Sequence, residues 1–207
     1  RRTRRLLDDL RRIGEETAEH AANAHALGQS TRARMLVERV MDELRQQGRN
    51  RSPGLAALQR MQGELALDRG DANGAAAAFG EAMDLYLELQ ETHAADFLYP
   101  GSLQAIALAQ AGNPRQAEQA LARVAARTAQ ESVVGAVAMY EAAEALLAAR
   151  RGDTGAAHQG LSRALSQLER ADPAPLAFRL RERRDAQRFR IWRNALSAPA
   201  IASGSEP

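Results

Sequence analysis

The sequence predicts an all-α chain: a right-handed α-solenoid of about four helix-turn-helix repeats, with a period of 40–42 residues, closed by a C-terminal capping helix. Three observations predict it. Apolar residues make up 45% of the 207 residues and aromatics only 4%, so the core must be assembled from Ala, Leu, Val and Met, which suits closely packed helices better than sheets. Gly28, Gly70, Gly112 and Gly152 each close an alanine-rich helical run and recur at separations of 42, 42 and 40 residues. Five residues after each glycine stands an alanine (Ala33, Ala75, Ala117, Ala157), and nine after it an apolar residue (Val37, Phe79, Leu121, Leu161).

Taken in order, the first helix is predicted over 4–27, opening in the basic run "RRTRRLLDDL" and ending at Gly28, where a helix C-terminus favours a residue that tolerates positive φ. The second spans 30–47, and "GRNRSPG" at 48–54 is a loop between repeats. The third, 53–69, ends at Gly70, and Asp71 caps the fourth, 72–90, by accepting from its free N–H groups. The fifth, 93–111, contains "YPGS" at 99–102, which is expected to kink or restart it. Pro114 opens the sixth, 114–129, where its missing donor costs nothing. The seventh covers 132–151, and Asp153 caps the eighth, 154–171. The ninth covers 174–197, and the tail "SAPAIASGSEP" reads as disordered. The chain therefore divides into a basic linker and helix start at 1–14, four repeats at 15–171, a capping helix at 172–197 and a tail at 198–207.

Within each repeat, the positions five, nine and twelve residues past the glycine are four and three apart, so they share one helical face. The alanine lets the paired helices approach closely at the turn, and the larger residue beyond fills the wider gap. The run Ala75 to Ala78 answers to this need, because bulk at Ala75 would push the pair apart.

The small and aromatic pattern Gly63, Ala66, Gly70, Ala75, Phe79 and Ala82 resembles the tetratricopeptide repeat (TPR) family. The period is longer than that family's 34 residues, and the family's tryptophan and terminal proline have no counterpart. Long repeats of this kind look like those of bacterial regulatory proteins, such as the large LuxR-type ATP-dependent activators. The resemblance covers 15–170. It implies a concave groove lined by the first helix of each pair, with inward positions His25, Arg60, Glu64, Asp68, Tyr99, Ser102, Gln110, Met139, Leu146 and Arg150. Such a lining implies a bound peptide or protein segment, with Tyr99 and Met139 as apolar anchors and Arg60 and Arg150 pairing carboxylates. It does not match the chaperone-binding carboxylate clamp, which would place Lys and Asn at these positions.

Chemistry is otherwise sparse. All 28 basic residues are Arg and no Cys occurs, which removes lysine Schiff bases, the P-loop lysine, thiolate nucleophiles and disulfides. His20 and His25 do not converge on a helix, and Glu16 with His20, His93 with Asp96, and Glu141 with Glu144 are lone same-face pairs. Ser102 follows a glycine but lacks the strand and second glycine of a nucleophile elbow. No catalytic constellation, metal site or cofactor is assigned, and the expected function is non-catalytic.

The net charge of +2 is unevenly placed, with arginine excess in 1–12 and 179–207 and acid excess between them. In "PAPLAFRLRERRDAQRFRIWRNAL", Phe189, Trp192 and Leu196 are spaced to cover the last repeat, with Arg179, Arg183 and Arg190 facing water or the acidic body. The competing reading is a surface for nucleic acid or anionic lipid, interleaving Arg with Phe178, Phe189 and Trp192. For the N-terminal arginines, a phosphate-binding linker and a solvated first turn stay equally open, the latter with Leu6, Leu7 and Leu10 reaching the first repeat.

The whole reads as a protein- or peptide-binding module, the interaction or sensor domain of a larger bacterial regulatory or scaffold protein, with a homodimer possible. The alternative is a nucleic-acid-binding helical repeat using the Arg-rich ends. No run reaches the roughly 18 apolar residues of a spanning helix. A cytoplasmic setting is expected, with membership of a membrane-anchored protein open, and the arginine-rich start suggests a piece of a longer chain.

Overall fold

The computed structural model describes residues 2–89, 95–126, 133–170 and 176–197. The expected disordered tail and the His93–Asp96 pair lie outside them, as do the side chains of the arginines at 1, 2, 4 and 5, of Leu7, Phe178 and Arg179. Among the described residues the structure is entirely helical: α1 Arg2–Ala26, α2 Ser30–Gln46, α3 Pro53–Asp68, α4 Ala72–Glu88, α5 Ala95–Gln110, α6 Pro114–Ala125, α7 Val134–Arg150, α8 Thr154–Arg170 and α9 Leu176–Ser197. The ends agree with the sequence expectation to within four residues.

Successive helices pack as the pairs α1/α2, α3/α4, α5/α6 and α7/α8, and the first helices of neighbouring pairs lie against one another, α1 on α3 and α5 on α7. The four turns are built alike. At the second of them Gly70 has φ 80°, its N–H bonds the Leu67 carbonyl at 3.0 Å, and the Asp71 N–H reaches back to the Ala66 carbonyl at 3.0 Å. Gly28, Gly112 and Gly152 repeat this geometry, which satisfies carbonyls that the helix end would leave orphaned. The side chains of Asp71 and Asp153 then accept from the N–H groups of Gly74 and Ala156 at 2.9 Å each.

The four alanines at +5 are fully buried, and the +9 residues Val37, Phe79, Leu121 and Leu161 are buried over them. In the second pair the fit needs more than alanine: a Cβ on Gly63 would sit 2.7 Å from the Phe79 ring. A second close approach has no counterpart in the repeat pattern. α1 and α3 cross backbone to backbone, so that a Cβ on Gly54 would run into the Leu10 carbonyl and one on Gly14 into the backbone of Gly54.

Of the two outcomes expected at 99–102, a kink or a restart, the restart is overturned. α5 does not restart at "YPGS" but runs through Pro100 as one helix. Just past the proline, Ser102 Oγ donates to the Leu98 carbonyl one turn back, at 2.6 Å. The absent Cβ of Gly101 leaves room for Val124 of α6, which would otherwise lie 2.6 Å away.

α3 is the central helix. Of its residues from Pro53 to Leu67 all but Gln62 are buried, so it has no polar face turned to water. One core cluster covers α1, α2 and one side of α3, and a larger one continues through α4 to α9. Two charges therefore stand on the buried length of this helix, Arg60 and Glu64, and they lead to the site.

Candidate functional site

Arg60, Glu64 and Asp68 are successive i, i+4 neighbours and line one stripe of α3. Glu64 is completely buried and Arg60 is 6% exposed. Isolated, each would cost several kcal/mol to remove from water. Arg60 Nη1 donates to Glu64 Oε1 at 2.6 Å, and its Nη2 to Glu15 Oε2 of α1 at 3.3 Å.

The rest of the network comes from α9, about 120 residues away in sequence. Arg184 donates to Glu64 Oε2, and Arg188 Nη1 reaches the same oxygen at 3.4 Å. Arg188 also closes a two-pronged contact with Asp68, Nε to Oδ1 at 2.9 Å and Nη2 to Oδ2 at 2.8 Å. This fork-to-fork geometry is the strongest form of guanidinium–carboxylate pairing. Asp185, fully buried, takes Arg188 Nη1 at 3.0 Å and both contacts of the Tyr99 hydroxyl from α5, at 3.0 and 2.9 Å. Arg181 lies over the Tyr99 ring, 5.2 Å from its centre. At the open end His25 Nε2 meets Asp68 Oδ2 at 3.1 Å, while its Nδ1 meets Ser30 Oγ at 2.9 Å.

The electrostatics follow from burial and pairing together. Burial pushes the Glu64 carboxyl up, but Arg184, Arg60 and Arg188 outweigh it and lower its pKa to about 2. For Asp185 burial prevails over the pull of Arg188 and Arg184, and its pKa is raised. Tyr99 is raised by burial and by Asp185, so it remains a neutral donor. Arg60, Arg184 and Arg188 lose some basicity to burial and gain more from their carboxylates, so they stay charged.

α9 thus does two things. Its apolar side closes the end of the stack, with Phe189 buried, Trp192 and Leu196 packed on the core, Arg183 exposed and Arg190 paired to Glu169 of α8 at 2.8 Å. Its polar side lies along the face made by the first helix of every pair: it touches α1 and α7 and bonds to α3 and α5. In a solenoid of helix pairs that is the inner face.

Of the residues placed on this face by the sequence, the structure brings together His25, Arg60, Glu64, Asp68 and Tyr99, and all five are engaged by one another or by α9. Ser102 and Met139 are fully buried in the helix packing. Leu146 is partly buried against the core. Gln110 and Arg150 end α5 and α7, exposed and without a side-chain hydrogen bond or ion pair among the described residues. Sequence reasoning did not single out Glu15, Arg184, Asp185 or Arg188. A signal existed: Asp185 falls on the same stripe as Phe189, Trp192 and Leu196, and a carboxylate on an apolar stripe requires a buried partner. Among the described residues no group of three or more His, Asp or Glu could hold a metal ion, and no helix is long and apolar enough to cross a membrane.

The fold is that of TPR-like helical repeats. The chain superposes on a Podosopora anserina protein described as a putative kinesin light chain with nearly identical TPR-like repeats, at a TM-score of 0.59 and 18% identity, over 94% of this chain and 99% of that one. A single-substitution variant of that protein gives 0.59 and 17%, over 91% and 96%. No protein-family model and no curated protein matches the sequence.

Proposed function

We propose that the chain is a non-catalytic protein-binding module whose inner face receives an arginine-bearing segment, serving as the interaction or sensor domain of a larger bacterial regulatory or scaffold protein. One observation carries this reading: Glu64, Asp68 and Tyr99, on two different repeats, already converge on the side chains of a helix laid across them. A surface that grips one helix through paired guanidinium groups and a phenolic hydrogen bond has the chemistry to select among helices. The TPR-like fold supports a protein partner, and the long repeats, which look like those of bacterial regulators, support the regulatory setting. The Arg-rich C-terminal end supports this reading over nucleic-acid binding, because Arg184, Arg188 and Arg190 are engaged by carboxylates of the chain itself.

The test is a titration of the full chain with helical peptides of equal length and differing charge. Cationic helices are expected to bind, and Glu64→Gln with Asp68→Asn to abolish that binding. Preference for a DNA or RNA duplex, with affinity falling steeply as salt rises and unaffected by those substitutions, would contradict it.

A further inference from the structure

We propose that α9 is a built-in ligand of this slot, and that the partner is a helix carrying two arginines one turn apart with an aromatic residue directly after the second, which takes α9's place. The proposal deepens the binding reading above and rests on it. The pattern is the one seated in the structure, Arg184, Arg188 and Phe189.

Charge defines the occupant. With α9 removed, the slot keeps Glu15, Glu64 and Asp68 against one guanidinium, that of Arg60, with His25 on Asp68, beside a phenolic hydroxyl that has lost its acceptor. A neutral or acidic helix would leave the fully buried Glu64 with Arg60 as its one cation and Asp68 without a guanidinium, whereas one that brings two guanidinium groups restores the balance. Spacing defines it further. Arg184 serves Glu64 and Arg188 serves both Glu64 and Asp68, so the two cations must lie four residues apart to meet carboxylates that are themselves four apart on α3. Phe189, fully buried, is the apolar anchor next to them.

The same contacts make α9 exchangeable. When a helix leaves, Glu64, Asp68 and the arginines regain water, so the ion pairs return almost as much as they cost and fix which helix sits there more than how firmly. A competing helix therefore has to supply the same ion pairs and an apolar residue for the place of Phe189, at a concentration that offsets the tether of α9.

The experiment uses a fluorescent peptide of residues 181–197 and the full chain, parent and Arg184→Ala/Arg188→Ala, with binding followed by anisotropy. The proposal expects the variant, whose own α9 has lost its grip, to bind the peptide at least tenfold more tightly than the parent. It expects that gain to vanish when Glu64→Gln and Asp68→Asn are added, and a peptide lacking both arginines to bind neither chain. Equal, Glu64-dependent binding to parent and variant would overturn the role of α9 while leaving the inner face a binding surface; no binding to either would overturn both. Hydrogen exchange on the parent gives an answer even if the variant does not fold. Excess peptide should accelerate exchange in α9 while α3 stays protected, and bound peptide without that acceleration would overturn the proposal.

Discussion

Arg188 holds Asp68 by two parallel hydrogen bonds, 2.9 and 2.8 Å, joining the last helix to the central one across 120 residues of chain. The contact makes a terminal helix part of the inner face. It also ties four side chains into one network, because Arg188 reaches Glu64 and Asp185 as well.

Breaking the network on the α3 side takes one carboxylate from three cations at once. Glu64→Ala removes the shared acceptor of Arg60, Arg184 and Arg188. It should cost about 3–5 kcal/mol, read from the midpoint of denaturant unfolding. A cost below about 1 kcal/mol would mean that Glu64 is not the hub of a buried network.

Tyr99→Phe tests the second anchor. The hydroxyl is the one neutral donor to Asp185 among the described residues, and its loss should cost about 1.5–3 kcal/mol. Combined with Asp185→Ala the effects should be well short of additive, since both changes remove the same bond.

Acid should act through Glu64. Its pKa is about 2 in the folded chain against an ordinary 4.5. The stabilisation it supplies, about 3 kcal/mol, is complete above pH 4.5 and is lost as pH falls from there toward 2. Asp185 acts in the opposite sense: its folded pKa lies above 3.8, so the folded state takes up this proton more readily and gains stability as pH falls through that raised value. Thermal unfolding followed from pH 7 downward should therefore show no steep loss until below pH 4.5. Glu64→Gln should flatten that loss.

Two glycines should fail for different reasons. A methyl at Gly54 collides with the Leu10 backbone, so Gly54→Ala should cost about 3 kcal/mol or more by forcing α1 from α3. A methyl at Gly70 meets nothing within 4 Å, so Gly70→Ala should cost only the positive φ, about 1–2 kcal/mol. Ala75→Leu belongs with Gly54, since its site has no exposure, and should cost about 1–3 kcal/mol by overpacking. Denaturant midpoints of the three variants rank them.

Much of the fold was legible because it depends on local chemistry. Glycine at 28, 70, 112 and 152, and alanine five residues on, each answer to a turn or a close approach that the sequence must encode within a few residues. The Gly14–Gly54 crossing was not legible, since nothing local marks which helix a glycine will meet. Half of the candidate site followed from the inward stripe of α3 and α5. The other half was hidden because Arg184 and Arg188 stand among seven arginines near the C-terminus, and composition alone does not show which ones a distant carboxylate will bury.

The most direct measurement of the central claim is the distance between α9 and the repeats. The chain has no cysteine, so spin labels can be placed at Ala77→Cys and Gln187→Cys, both exposed. The account predicts one narrow distance distribution in the free chain, and a longer, broader one when the peptide of residues 181–197 is bound. A distribution already broad without peptide, or unchanged with peptide bound, would contradict it.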